Sequence, residues 1–149
     1  GYGITISPFQ IASAYSVFAN KGILKDFKLL KNQEVTSKQI ISSDTANHIL
    51  DALRMVVKDG TGQAANINGF SEGGKTGTVH QIKRGSGYAE DSYRASFIGI
   101  APLNTKSLTI FVSIDEPGLN SYSGGAVAAP VFAKIAESSL NYLGYFQDE

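Results

Sequence analysis

Apolar residues recur at helical spacing in three stretches of the chain and alternate with polar ones in a fourth. In the first stretch Ile11, Ala14, Tyr15 and Phe18 fall on one helix face. Ser7 stands where an N-cap belongs, Pro8 at the first helical position, and Gln10 three residues past the cap, the spacing of a capping box. Gly22 suits a left-handed stop. Residues 23 to 42 mix short apolar runs with lysines (ILKDFKLLK) and predict a small hairpin or irregular strand pair. A second helix is expected from Ser43-Asp44, with Ile49, Leu50, Leu53, Val56 and Val57 as its buried stripe and Gly60 as its end. Asp44 near its start suits the helix dipole.

Residues 60 to 74, with five glycines, read as loop, and so does the polar, glycine-broken QIKRGSGYAEDS at 81 to 92. Tyr93 to Ala101 is rich in aromatic and β-branched residues and predicts a strand. Leu108, Ile110, Val112 and Ile114 alternate with Ser107, Thr109, Phe111 and Ser113, the period of a half-buried strand. Only residues 102 to 106 separate the two, which permits an antiparallel hairpin and excludes a crossover helix. A last helix is expected from Ala126 to Leu143, turning Val131, Ile135, Leu140 and Leu143 to the core and stopping at Gly144.

The composition adds mostly exclusions. A chain of 149 residues is the length of one domain. Lys+Arg and Asp+Glu are 13 each, so no basic field points to nucleic acid. The absence of cysteine excludes disulfides and thiolate zinc sites. No apolar run approaches the roughly 20 residues of a membrane span, so an anchor or export signal would lie on chain outside these residues. The opening GYGITISP lacks an initiator Met and fits a fragment or a processed piece.

Candidate chemistry concentrates in GFSEGGKTGT, residues 69 to 78, which has two readings. Gly69 and Gly74-Lys75-Thr76 fit the phosphate-cradling G-x-x-x-x-G-K-[ST]. Lys75-Thr76-Gly77-Thr78 fits the K-T-G element of penicillin-interacting serine enzymes. The nucleotide reading gains from IFVSIDE at 110 to 116, an apolar run ending in acid. It requires a buried strand before the loop and a helix after it. Ala64 to Asn68 is a poor buried strand, and Gly77, Gly85 and Gly87 would each cost a helix about 1 kcal/mol relative to alanine. The K-T-G reading requires a strand from Lys75 to Val79, and Thr76, Thr78 and Val79 are β-branched. Period-2 alternation then puts Lys75 and Gly77 on one face and Thr76 and Thr78 on the other. Both pairs serve one cleft only if this strand is a sheet edge.

Four blocks in order resemble one family. GYGITISPFQIASAYSVFANKG, KDGTGQAANINGFSEGGKTGT, SYRASFIGIAP and YSGGAVAAPVFAKI resemble segments in the C-terminal part of the transpeptidase domain of class B penicillin-binding proteins, with GGAVAAPVF closest to the division-type branch. The resemblance implies the penicillin-binding, serine β-lactamase-like fold: an α/β (α+β) arrangement of an antiparallel sheet flanked by helices, of which residues 1–149 would be the C-terminal half. It implies a peptidoglycan D,D-transpeptidase, which cross-links stem peptides through a serine acyl-enzyme, is blocked by β-lactams and calls for no cofactor and no metal. It implies a place on the periplasmic side of a bacterial inner membrane. The partners it implies are the N-terminal remainder of the protein, peptidoglycan stem peptides, β-lactams and divisome proteins, with no nucleic acid.

Only the third of the family's motifs is present. No serine here has a lysine three residues on, and the S-x-N match Ser139-Leu140-Asn141 lies after K-T-G and inside a predicted helix. The nucleophile, its lysine and the second-motif serine are therefore expected upstream. The chain alone is expected to be inert and to need that segment to fold properly. By resemblance, Lys75 and Thr78 are the catalytic residues: Lys75 supplies a cation beside the nucleophile, and the Thr78 N–H is an oxyanion-hole donor. Thr76, Gly77 and Thr78 are the substrate-binding residues, with the two hydroxyls on the substrate carboxylate. The rivals are a penicillin-recognising hydrolase or carboxypeptidase, a non-catalytic sensor on the same fold, and the nucleotide binder. His48 reads as helix surface, Asp115-Glu116 as a turn, and His80 and Tyr122 as at most neighbours of the cleft.

Overall fold

Ser7 caps the first helix as its spacing predicts. Its side chain accepts from the Gln10 N–H at 3.2 Å, and Gln10 Oε1 accepts from the Ser7 N–H at 2.9 Å. In the computed structural model, which describes residues 5–83, 87–118 and 121–145, this helix is α1, Pro8–Ala19. Gly22 ends it at φ +85°, and no side chain fits there, because Ile41 backbone atoms occupy the place of a Cβ. The lysine-rich stretch forms a two-stranded antiparallel pair, β1 (Ile23–Lys25) with β2 (Ser37–Gln39). Ser42 then caps α2, Ser43–Lys58, by accepting from the Thr45 N–H at 3.1 Å. Leu53 and Val57 are its buried residues from the expected stripe.

Three antiparallel strands make the main sheet: β3 (Gly73–Lys83), β4 (Gly87–Ala101) and β5 (Leu108–Asp115), in the order β3-β4-β5. The motif strand β3 is thus an edge of this sheet. The hairpin between β4 and β5 is as the five-residue spacing predicts. A short π-helical segment, Gly124–Ala128, leads into α3, Ala129–Tyr142, and Gly144 ends the run at φ +75°.

Two expectations are corrected. Residues 73–74, 81–83 and 87–92, read as loop, are strand; residues 84–86 lie outside the described residues. Local polarity predicted a loop, but a long antiparallel partner supplies ladder hydrogen bonds that outweigh weak propensity. The second correction is the inner face of α3. Leu140 is buried as expected, but Val131, Ile135 and Leu143 are 37%, 45% and 53% exposed, and Phe132 and Ala136 are buried in their place. The selection is steric. Gly99 of β4 leaves a space that the Phe132 ring fills, where a Cβ would collide with it. Phe132 in turn meets Phe97 at 5.0 Å between centroids.

Phe97 is the hub of the core, which also contains Val57, Ile67, Val112, Phe132 and Leu140. Its ring stands where side chains of Gly74 and Gly99 would be, and a Cβ on Gly62 would lie 3.1 Å from it. Glycines on β3, β4 and the turn after α2 therefore let these elements close on one ring.

Among the described residues, one charged group is fully buried, at the root of β3. Glu72 is fully buried, and Arg54 of α2 donates to its Oε1 at 2.5 Å and to its carbonyl at 3.1 Å. Burial pushes the Glu72 carboxyl above the usual range, although Arg54 pulls it down. The folded state therefore binds this proton more tightly than the unfolded one. That contribution to stability is present below the ordinary carboxylate range and is lost as pH rises through the raised value. Arg54→Met removes the downward pull and leaves the carboxylate uncompensated. We predict a loss of about 3 kcal/mol at pH 7, the lower end for a buried pair because Arg54 keeps partial access to water. The loss should shrink as pH falls toward the carboxylate range. Unfolding curves of the two proteins across that range check this, and a pH-independent difference would contradict it.

Candidate active site

The strand from Lys75 to Val79 is extended, so the helix that a phosphate loop needs is absent at these residues. The nucleotide reading is overturned on that point. Along β3 the register is continuous from Gly73↔Ile100 to His80↔Tyr93 and breaks only between His80 and Ile82. Gly77 is therefore an in-register strand residue and not a bulge. A Cβ on it would sit 2.5 Å from Ser96 Oγ, so the glycine lets the Ser96 hydroxyl lie against the strand. That hydroxyl donates to the Gly77 carbonyl at 3.4 Å.

The alternation expected from the sequence separates the motif into two environments. Lys75, Gly77 and Val79, with Thr76 at its border, line a cleft of about 580 Å³ between the sheet and α1. Arg94, Ser96, Ile98, Phe111 and Ser113 continue its floor, and Pro8, Ile11 and Tyr15 form the α1 wall. Lys75 is exposed, and its ammonium donates to the Thr76 carbonyl at 3.0 Å. Arg94 is paired with Asp115, with Nε–Oδ1 at 2.5 Å and Nη2–Oδ2 at 3.0 Å. The Arg94 guanidinium holds the Asp115 carboxyl below the usual carboxylate range.

The two threonines point to the other face and meet partners from distant chain. Thr61, in the turn after α2, places Oγ1 2.9 Å from Thr76 Oγ1. The Gly124 N–H donates to Thr78 Oγ1 at 3.0 Å. Thr78 remains exposed. Beyond it, His80 meets Tyr93 at 4.5 Å between centroids, and Tyr122 stacks on Tyr93 at 4.2 Å and 20°. His80 and Tyr122 thus belong to one aromatic stack at the far end of the motif. Asp115 is the last residue of β5, and Glu116, just past it, has φ +50° and accepts from the Ser92 hydroxyl at 3.1 Å, so the bend begins at Glu116.

The motif residues Lys75, Thr76, Gly77 and Thr78 are brought together along one open edge. Sequence reasoning missed Thr61, Gly124 and Ser96. Thr61 stands in a G-T-G that reads as plain loop, and Gly124 lies in 122–125, which reads as a loop at the cleft mouth before the last helix. Neither carries a local signal of its partner.

A helix-flanked antiparallel sheet with an open K-T-G-T edge defines a class, the penicillin-interacting serine enzymes. The Penicillin binding protein transpeptidase domain model matches residues 1–137, and the chain belongs to that family. It is 38% identical to stage V sporulation protein D of Bacillus subtilis, over 97% of this chain and 24% of that protein. It is also 38% identical to the probable peptidoglycan D,D-transpeptidase PenA of Neisseria gonorrhoeae, over 97% of this chain and 25% of that one. The chain thus spans about a quarter of the length of these curated relatives. Among solved structures, the apo transpeptidase domain of penicillin-binding protein 3 from Burkholderia pseudomallei superposes with a TM-score of 0.86 at 37% identity, over 100% of this chain and 46% of that one. Penicillin-binding protein 3 of Mycobacterium tuberculosis, solved with ampicillin, superposes with a TM-score of 0.80 at 26% identity, over 99% and 37%.

The brace beneath β3 is open to test. A Cβ on Gly124 would collide with the Ser96 and Gly77 carbonyls, both of them backbone atoms with little freedom to move. Gly124→Ala is expected to cost about 1–3 kcal/mol of stability. Ser123→Ala, which removes only the cap hydrogen bond to the Ala126 N–H, is expected to cost about 1 kcal/mol. Unfolding free energies of the two variants check the order.

Proposed function

We propose that this chain is the K-T-G-bearing part of a class B peptidoglycan D,D-transpeptidase, acting by serine acyl transfer on the periplasmic side of the bacterial inner membrane. The serine attacks the penultimate D-alanine carbonyl of a stem peptide and expels the terminal D-alanine. The ester then passes to an amine of a neighbouring strand. The nucleophile, its lysine and the second-motif serine come from chain outside these 149 residues, which hold no S-x-x-K. Stem peptides, β-lactams and divisome proteins are the partners of the whole protein.

One observation carries the reading: β3 is an open edge on which Lys75 and Thr78 are exposed. An edge strand turns every second N–H and C=O away from its sheet. The Gly77 carbonyl meets Ser96 of β4, whereas the Thr76 carbonyl meets only the Lys75 ammonium among the described residues. That alternation supports an outward-facing Thr78 N–H, as an oxyanion donor requires. Lys75 lies on the cleft side, where an ammonium attracts a carboxylate-ended peptide and favours proton relay beside the serine. Thr76 and Thr78 offer hydroxyls to the substrate carboxylate, and Gly77 keeps the strand flat between them.

Acylation of the full-length protein by a fluorescent penicillin tests this. A persistent acyl-enzyme is expected. Lys75→Ala should slow acylation about a hundredfold or more, the scale of a lost proton-transfer or charge-stabilising group, with the fold retained. Rapid turnover of the ester would mark a hydrolase, and no labelling at all a non-catalytic relative.

A further inference from the structure

The reading above uses the hydroxyls of Thr76 and Thr78, and each is already engaged from outside β3. A hydroxyl has one hydrogen to donate and two lone pairs to offer. At Thr78 the Gly124 N–H takes a lone pair at 3.0 Å. The Thr78 hydrogen is left for an acceptor in front of the strand. At Thr76 the partner is another hydroxyl, Thr61 Oγ1 at 2.9 Å, and either oxygen serves as donor in that pair. A carboxylate facing Thr76 decides the order. Thr61 then donates to Thr76, and Thr76 donates outward. The reverse order would turn a lone pair of Thr76 toward an anion.

Thr61 is held in place for this task. It lies 15 residues before Thr76, in the turn after α2. The next amide, Gly62 N–H, donates to the Val56 carbonyl at 2.9 Å. Gly62 is wedged between Phe97 and Val56, where a Cβ would lie 3.1 and 3.2 Å from their side chains. On its other side the Thr61 carbonyl occupies the place where a Gly125 side chain would stand. The backbone that presents the hydroxyl is therefore fixed by α2, by the core and by the segment leading into α3.

We propose that Thr61 is a positioning residue of the acyl-transfer site: it orients the Thr76 hydroxyl as a donor toward the carboxylate of the stem peptide or β-lactam. The inference rests on the proposed function. Thr61 acts through Thr76 and does not touch the ligand. A mere staple between the α2 turn and β3 would make a different prediction, since its loss would lower stability and weaken all ligands alike. Donor orientation matters only to a ligand that carries the anion.

The test uses the full-length protein, with a penicillin and its neutral methyl ester as probes. Second-order acylation rates are compared for wild type, Thr61→Val, Thr61→Ser, Thr76→Val and the Thr61→Val/Thr76→Val double variant, with melting temperatures measured alongside. Thr61→Val is expected to slow acylation by the free acid about fivefold, the worth of one ordinary hydrogen bond. The ester rate should be nearly unchanged, Thr61→Ser should restore the acid rate, and the double variant should be no slower than Thr76→Val alone. An unchanged acid rate in Thr61→Val would overturn the proposal. So would equal losses for acid and ester, or additive losses in the double variant. If the wild-type protein is not acylated at all, the proposed function falls and this inference falls with it.

Discussion

The ring of Phe97 sets the geometry on which the rest depends. It is fully buried and stands where side chains of Gly74 and Gly99 would be, with Gly62 against its edge and Phe132 across from it. Close packing of a large ring against bare backbone gives dispersion contacts that a looser core would forfeit. It also fixes distances. The motif strand, the turn after α2 and the segment before α3 are drawn to one point. Thr61 and Gly124 consequently arrive within hydrogen-bond range of Thr76 and Thr78.

The two faces of β3 have different jobs for a related reason. On the face toward α1, Lys75 and Gly77 border a cleft whose floor mixes polar and apolar side chains, and the ammonium is exposed. On the other face the threonines are tied to the core side of the molecule. An edge strand serves both, because its rim faces neither layer. The same openness is a hazard in most proteins, where unpaired strand edges invite aggregation. Here the Gly124 turn meets the edge at Thr78. Peptide recognition at a sheet edge is a general mode in which backbone hydrogen bonds supply affinity.

The Arg54–Glu72 pair shows how the start of β3 is anchored. A carboxylate buried without compensation would be costly, and a single guanidinium from α2 provides that compensation at 2.5 Å. The pair ties the helix to the strand three residues before Lys75. Burial keeps the Glu72 proton affinity high despite the cation, so this anchor depends on pH in the opposite sense to the Arg94–Asp115 pair, whose carboxyl is held low.

Local signals decided much of this molecule. Ser7, Pro8 and Gln10 specify the start of α1, and Gly22 and Gly144 specify left-handed stops, because caps and positive φ are properties of a few adjacent residues. The hairpin at 102–106 follows from its length, and the β-branched Thr76, Thr78 and Val79 make the motif a strand. The motif itself named the chemistry. The tertiary structure decided what no window of neighbours contains. Pairing with β3 extends β4 back to Gly87 through polar sequence, since a ladder partner outweighs weak propensity. The space at Gly99 admits Phe132, which with Ala136 and the expected Leu140 forms the inner face of α3 in place of the equally apolar Val131 and Ile135. The partners of Thr76 and Thr78 lie 15 and 46 residues away, so their hydroxyls acquire a direction only when the core closes on Phe97.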